Sequence, residues 1–371
     1  MANNAEEYEI LIVGAGPSGA VAARVAAENG LDICLLEKKN VREEGRYKAC
    51  GGALAWELVE ELDYPEDKIS RIIESLELHH IDGTSYSKRG KGAVVWRSIF
   101  DKHFSDLAQE RGAELHDEEP LVQIQKKDGK YKIQTPAGTY ITKYVIAADG
   151  VNSRTLRQLN WPSFAKSDLI LTITKEMKTT PSHIVQVLGD DAIHLFFGKS
   201  LISVGYAWLF PKERTITVGW GNQINLISNS REEFKKYVSL PYVKKALKGA
   251  QLEIFQPHLI PVGLRPQISK DNVLAVGDAG GIVDPISGKG IPYAMMSGKF
   301  AVQAILKAEE KDRPEKLGTY YRQLLDKKFL RILKAKRKAR DKIFQSDENL
   351  KKFLSLWENH RSSEIVMRKL L

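Results

Sequence analysis

Cysteine is scarce, with two in 371 residues, Cys34 and Cys50. That excludes a disulfide-stapled scaffold and leaves no thiol cluster for zinc or iron–sulfur. A reducing compartment, the cytosol, is the expectation. Long hydrophobic runs are also missing. No apolar stretch approaches the ~18 residues of a membrane-spanning helix. The start, Met1 to Glu9, is polar and acidic and lacks a signal-peptide pattern. Repeats and low-complexity linkers are absent too. The eight histidines show no ligand spacing, so no metal site is expected. What remains is ordinary for a globular protein: 43% hydrophobic and 28% charged residues, which excludes intrinsic disorder.

The net charge of +9 is unevenly placed. Residues 311–371 hold 18 Lys+Arg against 8 Asp+Glu, and the other residues hold 38 against 39. A nucleic-acid enzyme carries basic surface on its main body, so no nucleic-acid partner is expected. In the tail, Leu325, Phe329, Ile332, Ala339 and Ile343 can form one apolar stripe. Lys327, Lys328, Arg331, Lys334, Arg337, Lys338 and Arg340 surround it. Residues 324–343 therefore fit a basic interfacial helix on an anionic membrane. They equally fit a helix that packs on the body with its charges in water. Either way the protein would be cytoplasmic, at most peripheral at the inner membrane face. No feature sets an oligomeric state.

The chain opens with a strand pattern, Glu9 to Val13, which runs into Gly14-Ala-Gly-Pro-Ser-Gly19 and an alanine-rich helix to Asn29. Ile33 to Glu37 reads as a second strand. This β–α–β order implies a parallel sheet. Short strands follow at 76–81 and 93–96, then an amphipathic helix at 98–112. Residues 119–141 read as a three-strand meander, and Tyr144–Ala148 as a separate buried strand. From about 167 to 260 alternating strands dominate, with few helix signals before Arg231. Asn272–Val276 returns to the parallel type and rejoins the first sheet. Gly290–Ala308 and everything after Pro314 read as helix. The expected fold is α/β: a discontinuous Rossmann-like domain (1–166 and 261–310), an antiparallel-sheet substrate domain (167–260) and a helical C-terminal region (311–371).

Gly14, Gly16 and Gly19 stand between strand and helix, with Pro17 and Ser18 in the turn. Gly14 permits the tight turn, Gly16 admits a pyrophosphate, and Gly19 lets helix and strand pack. Free N–H groups at the helix start suit phosphate. Glu37 ends the next strand, 18 residues after Gly19, followed by Lys38. A carboxylate there can bind both ribose hydroxyls. A second glycine-rich loop, Gly277-Asp278-Ala-Gly-Gly281, follows the strand at 272–276 and leads to Gly288, Gly290 and Ile291. Two such loops after two parallel strands suit one long dinucleotide, FAD. Asp278 would bond the ribitol chain, and backbone N–H groups of 288–291 would face the flavin ring.

Taken with Tyr144–Asp149-Gly150, these motifs resemble the FAD-dependent hydroxylase fold group. Two segments narrow the resemblance to the geranylgeranyl reductase family. Lys48-Ala-Cys50-Gly51-Gly52-Ala53 resembles its Cys-Gly-Gly segment, and Tyr206-Ala-Trp208-Leu-Phe210-Pro211 its Tyr-x-Trp-x-Phe-Pro signature. The resemblance spans about residues 8–310. One departure is Ser203, where the family often has proline. The resemblance implies reduction of carbon–carbon double bonds in geranylgeranyl chains of a lipid, with NAD(P)H or a ferredoxin as electron donor. It implies a place for Cys50 beside the flavin and for Arg97 near the cofactor.

Read from the residues alone, Tyr206, Trp208 and Phe210 share one strand face, which serves either as core or as the wall of an apolar pocket. An isoprenoid would reward such a wall with ~0.8 kcal/mol per buried methylene. Cys34, mid-strand, reads as a core residue. An isolated alkene needs an early or concerted proton. Cys50 and Tyr206 are the two candidates for catalytic contact. Rival readings are a flavin monooxygenase of an apolar substrate, a flavin halogenase, and a non-catalytic lipid-binding electron carrier.

Overall fold

The computed structural model describes residues 5–41 and 47–359. It divides into two compact units. The first holds Met1–Arg46, Ser98–Asp168 and Pro261–Ala335, and the second holds Tyr47–Arg97, Leu169–Ile260 and Lys336–Leu371. In chain order the strands are β1 (Glu6–Val13), β2 (Ile33–Leu36), β3 (Ala53–Ala55), β4 (Arg71–His80), β5 (Ser85–Val94), β6 (Glu114–His116), β7 (Gln123–Lys127) and β8 (Lys130–Gln134). They continue as β9 (Thr139–Ala147), β10 (Leu169–Lys178), β11 (Ala192–Phe197), β12 (Gly205–Pro211), β13 (Thr215–Gln223), β14 (Gln251–Pro261), β15 (Ser269–Lys270) and β16 (Val273–Ala275).

In the first unit the sheet runs β15-β16-β9-β1-β2-β6, with β7 and β8 appended to β9. β1 pairs in parallel with β2 and β9, and β16 pairs in parallel with β9. The strand near 272–276 thus rejoins the opening sheet, as the sequence led one to expect. Its strands are continuous apolar runs because both faces are covered: Leu11, Cys34, Val145 and Ala275 are all fully buried. The meander and the buried strand after it are one element. β9 pairs with β8 through Thr139–Thr142 and with β1 through Tyr140–Ala147. Its polar first half and buried second half read as two strands in sequence.

The second unit holds the sheet β14-β10-β13-β12-β11-β4-β5-β3. Here the expected boundaries need correction. Residues 53–94 belong to this sheet, because β4 pairs with β5 and, in parallel, with β11. The sheet is therefore not wholly antiparallel. Local alternation marks a strand but not which distant partner it joins. The stretch before Arg231 also contains a helix, Pro181–Leu188, whose N-cap Thr180 accepts from His183 N–H at 3.2 Å.

The region 311–371 is not a separate body. Residues to Ala335 belong to the first unit and those from Lys336 to the second; residues 360–371 lie outside the described residues. Four of the five stripe residues are at most 4% exposed, and only Ile332 is open, at 36%. Phe329 packs on Tyr293 and Phe300, at ring distances of 5.1 and 6.3 Å. Most of the stripe is therefore buried within the protein itself. Lys327, Lys328, Arg331, Lys334 and Lys338 are exposed. Among the described residues, no helix is long and apolar enough to cross a membrane.

Candidate functional site

In the first unit the loop after β1 is built for close backbone approach. Gly14 has φ +102°, and a Cβ on it would stand 2.6 Å from the Ala148 carbonyl oxygen. On Gly19 a Cβ would stand 1.8 Å from the Gly14 oxygen. At Gly16 nothing lies within 4 Å of that position, so the turn opens there. Gly16 is also the N-cap of the helix Pro17–Glu28, with no side chain capping it. Helix N–H groups are left for an anion. Pro17 and Ser18 are buried in that first turn.

Glu37 is 6% exposed, and its carboxylate is fixed by two backbone donors, Ala15 N–H at 2.9 Å and Lys39 N–H at 3.0 Å. Both contacts orient the acid beside the glycine loop. Lys38 points outward and is exposed. Asp149 accepts from the N–H and hydroxyl of Thr155, each at 2.9 Å, while its Oδ1 is buried without a partner. Gly150, φ +82°, follows it.

Gly277 N–H donates to Ser297 Oγ at 2.9 Å, and Asp278 is half-buried beside it. The loop 284–288 is shaped by Asp284, whose Oδ1 accepts from Ile286 and Ser287 N–H at 3.0 Å. Gly290, the uncapped N-cap of the 20-residue helix Ile291–Glu310, lies with its Cβ position 3.6 Å from Asp278 Oδ1. Gly288, Gly290 and Ile291 are all half-buried. An open glycine turn, two uncapped helix starts, a clamped acid and an orphaned carboxylate oxygen fit a dinucleotide.

Sequence reasoning missed Arg265. It is 7% exposed and donates to the carbonyls of Ala279 and Pro162, both at 2.7 Å, with its guanidinium 4.2 Å above Phe164. It ties the 277–281 loop to the segment after Gly150. No motif surrounds it, so only the fold reveals it.

In the second unit β12 carries two different faces. Ala207 and Leu209 join the core with Ile216, Val218 and Trp220. Tyr206, Trp208 and Phe210 line the opposite face, with rings 5.9 and 6.4 Å apart in succession. Trp208 and Phe210 are 7% and 8% exposed, and Tyr206 is half-buried. Across β13 their partners are Gly221, Gly219 and Thr217, and beyond those on β10 stand Thr172, Thr174 and Glu176. A Cβ on Gly219 would stand 1.8 Å from the Trp208 ring, so glycine lets the indole lie flat on the sheet.

The Cys-Gly-Gly segment reaches this same face. A Cβ on Gly51 would stand 2.4 Å from the Phe210 ring. Cys50 is half-buried, and its Sγ accepts from Gly52 N–H at 3.4 Å. Pro211 ends the strand, buried. Arg97 is 7% exposed, at the start of the helix Arg97–Glu110 rather than at the surface. Cys34 is fully buried, and burial raises its thiol pKa, as suits a core residue.

One group of possible metal ligands occurs among the described residues: Glu6, Glu114 and His116, at the edge of the first sheet. Sequence spacing gave no sign of it, because two segments far apart in the chain supply it, Glu6 on β1 and Glu114 with His116 on β6. Its side chains are engaged with protein neighbours: His116 Nε2 with Glu114 at 2.7 Å, and Tyr8 O–H with Glu114 at 2.8 Å.

Residues 9–150 match the FAD dependent oxidoreductase family and residues 93–326 the FAD binding domain family. A digeranylgeranylglycerophospholipid reductase of Thermoplasma volcanium is 32% identical, over 95% of this chain and 91% of its own. The chain belongs to the digeranylgeranylglycerophospholipid reductase family of FAD-dependent oxidoreductases. A second such reductase, from Picrophilus torridus, is 30% identical over 98% of this chain and 94% of its own. The crystal structure of a geranylgeranyl bacteriochlorophyll reductase-like protein from Thermoplasma acidophilum matches with a TM-score of 0.86 and 27% identity, covering 99% of this chain and 96% of that one. A flavin-dependent brominase, at TM-score 0.71 and 18% identity over 85% of this chain and 83% of its own, shares the fold.

Proposed function

We propose that this FAD-dependent reductase saturates carbon–carbon double bonds in the geranylgeranyl chains of a glycerophospholipid. The observation that carries this reading is the aromatic row Tyr206–Trp208–Phe210 with Gly51 against Phe210, in a chain related along nearly its whole length to reductases of that substrate. A linear isoprenoid offers no polar handle along its length. Its recognition has to come from such apolar contact and from exclusion of water.

Bound FAD supplies the hydride when reduced. Gly14, Gly16, Pro17, Ser18 and Gly19 would hold its pyrophosphate, Glu37 its ribose and Asp278 its ribitol. Lys38, Cys50, Arg97, Asp149, Gly150, Gly277, Gly288, Gly290 and Ile291 complete the proposed cofactor contacts. Tyr206, Trp208, Phe210 and Pro211, with Gly51 and Gly52, would form the wall along which the chain lies. The second hydrogen arrives as a proton, for which the Cys50 thiol and the Tyr206 hydroxyl are the candidate donors. Electrons would enter from NAD(P)H or a ferredoxin. With the tail stripe buried, contact with an anionic membrane would rest on its exposed lysines and Arg331.

The test is anaerobic. The flavoprotein is reduced, freed of reductant and mixed with a digeranylgeranylglycerol phospholipid. Reoxidation of flavin absorbance with a gain of two hydrogens in product mass is the expected result. No reoxidation until oxygen enters, with an oxygenated product, would replace this reading by the monooxygenase one.

A further inference from the structure

The row that carries Phe210 continues into a buried charge pair which the reading above does not use. Phe210 stands opposite Thr217, and Thr217 opposite Glu176. Lys212, just past the end of β12, turns its Nζ into this row. Nζ lies 2.9 Å from Glu176 Oε1, 2.6 Å from Thr217 Oγ1 and 3.7 Å above the Trp96 ring. Thr217 donates to the other Glu176 oxygen at 2.8 Å. The Lys212 and Glu176 side chains are 2% and 0% exposed. A third donor comes from outside the sheet: Tyr47 O–H bonds Glu176 Oε1 at 3.1 Å. Tyr47 stands three residues before Cys50, and Gly51 sits on Phe210.

The segment 47–52 therefore meets the sheet at two points of one row, Glu176 and Phe210, with Cys50 between them. Next in line along the same face, Trp208 Nε1 and Thr174 Oγ1 are buried without hydrogen-bond partners. Two orphaned polar atoms are unusual for a surface that is only core.

Buried ion pairs are a poor way to stabilise a fold. Desolvation of both charges offsets their attraction, and well-packed neutral replacements are often neutral or stabilising. Burial lowers the Lys212 pKa, while Glu176 raises it. Stability alone is therefore a weak reason for the pair, and its satisfied geometry leads to Tyr47.

We propose that Glu176 and Lys212, acting through Tyr47, are positioning residues that seat the Cys50-Gly51-Gly52 loop on the aromatic face for alkene reduction. The inference rests on the reductase reading and deepens it. Lys212 and Thr217 fix the Glu176 carboxylate, the carboxylate fixes the Tyr47 hydroxyl, and that hydroxyl fixes the register of the loop against Phe210.

Two full-length variants test it, Y47F and the near-isosteric neutral pair K212M/E176Q. Each is read by thermal midpoint, by the rate of Cys50 alkylation at fixed pH, and by anaerobic flavin reoxidation across phospholipid concentrations. A structural role would lower the midpoint and leave the other readouts alone. The proposal expects the midpoint within about 2 °C of wild type, or higher for the double variant. It expects Cys50 alkylation at least fivefold faster. It expects the maximal reoxidation rate at least tenfold lower, with the half-saturating lipid concentration within twofold. Alkylation and maximal rate within twofold of wild type in both variants would overturn it, as would slowing that only tracks a fallen midpoint. If the lipid fails to reoxidise wild-type flavin, the reductase reading fails. The alkylation rates would then still show whether the charge pair seats the loop.

Discussion

The two units offer candidate functional residues of different kinds. In the first, the proposed contacts are mostly backbone: glycines that let the chain close on itself, helix starts left uncapped, and one clamped acid, Glu37. In the second they are side chains gathered from segments 47–52, 96, 172–176, 206–212 and 217. Backbone sites need short, contiguous sequence, because a turn is local. Side-chain faces need strand register, which no local pattern contains. The first kind breaks by steric exclusion and the second by loss of fit.

Three substitutions sharpen this contrast, in descending order of effect. Gly19→Val places atoms where the Gly14 oxygen already stands, 1.8 Å from a Cβ. It should abolish flavin retention, read as visible absorbance per mole of protein, and cost about 4 kcal/mol or more of stability. Glu37→Gln keeps the shape but removes the charge that two N–H groups and a ribose would share. Flavin affinity should fall about tenfold, in line with the ~1.5 kcal/mol of a charge-assisted hydrogen bond, measured by titration of the apoprotein.

The smallest effect concerns pH in the second unit. His79 Nε2 bonds His194 Nδ1 at 3.0 Å, and burial, then the neighbouring His194, lowers the His79 pKa to about 4. The folded value lies below the unfolded 6.5, so the unfolded chain binds more protons between them. Stability should fall as pH drops from 6.5 towards 4, and His79→Gln should flatten that part of the profile in denaturant titrations.

The same contrast explains what could be read without coordinates. The glycine loops, Glu37 and the return of 272–276 to the first sheet were visible, because each is a local pattern with a fixed geometry. The placement of 53–94 in the second sheet was not, because β4 finds its parallel partner β11 more than a hundred residues later. Tyr206, Trp208 and Phe210 were visible as one face, but not what lies beside them. Lys212 and Glu176, 36 residues apart, carried no motif, and only the register of β10 on β13 brings them together. The tail stripe was visible as amphipathic, yet amphipathicity does not tell a membrane from the protein's own core.

The proposed reading is a division of labour: backbone loops would hold the flavin, and the aromatic face would hold the isoprenoid. Tyr206→Ala tests it most directly, since Tyr206 is the half-buried member of the row. Flavin content and anaerobic reoxidation by the geranylgeranyl phospholipid are measured on one preparation. The account predicts stoichiometric flavin and a half-saturating lipid concentration raised about tenfold, from ~1.5 kcal/mol of lost apolar contact. Loss of flavin, or unchanged lipid dependence, would contradict it.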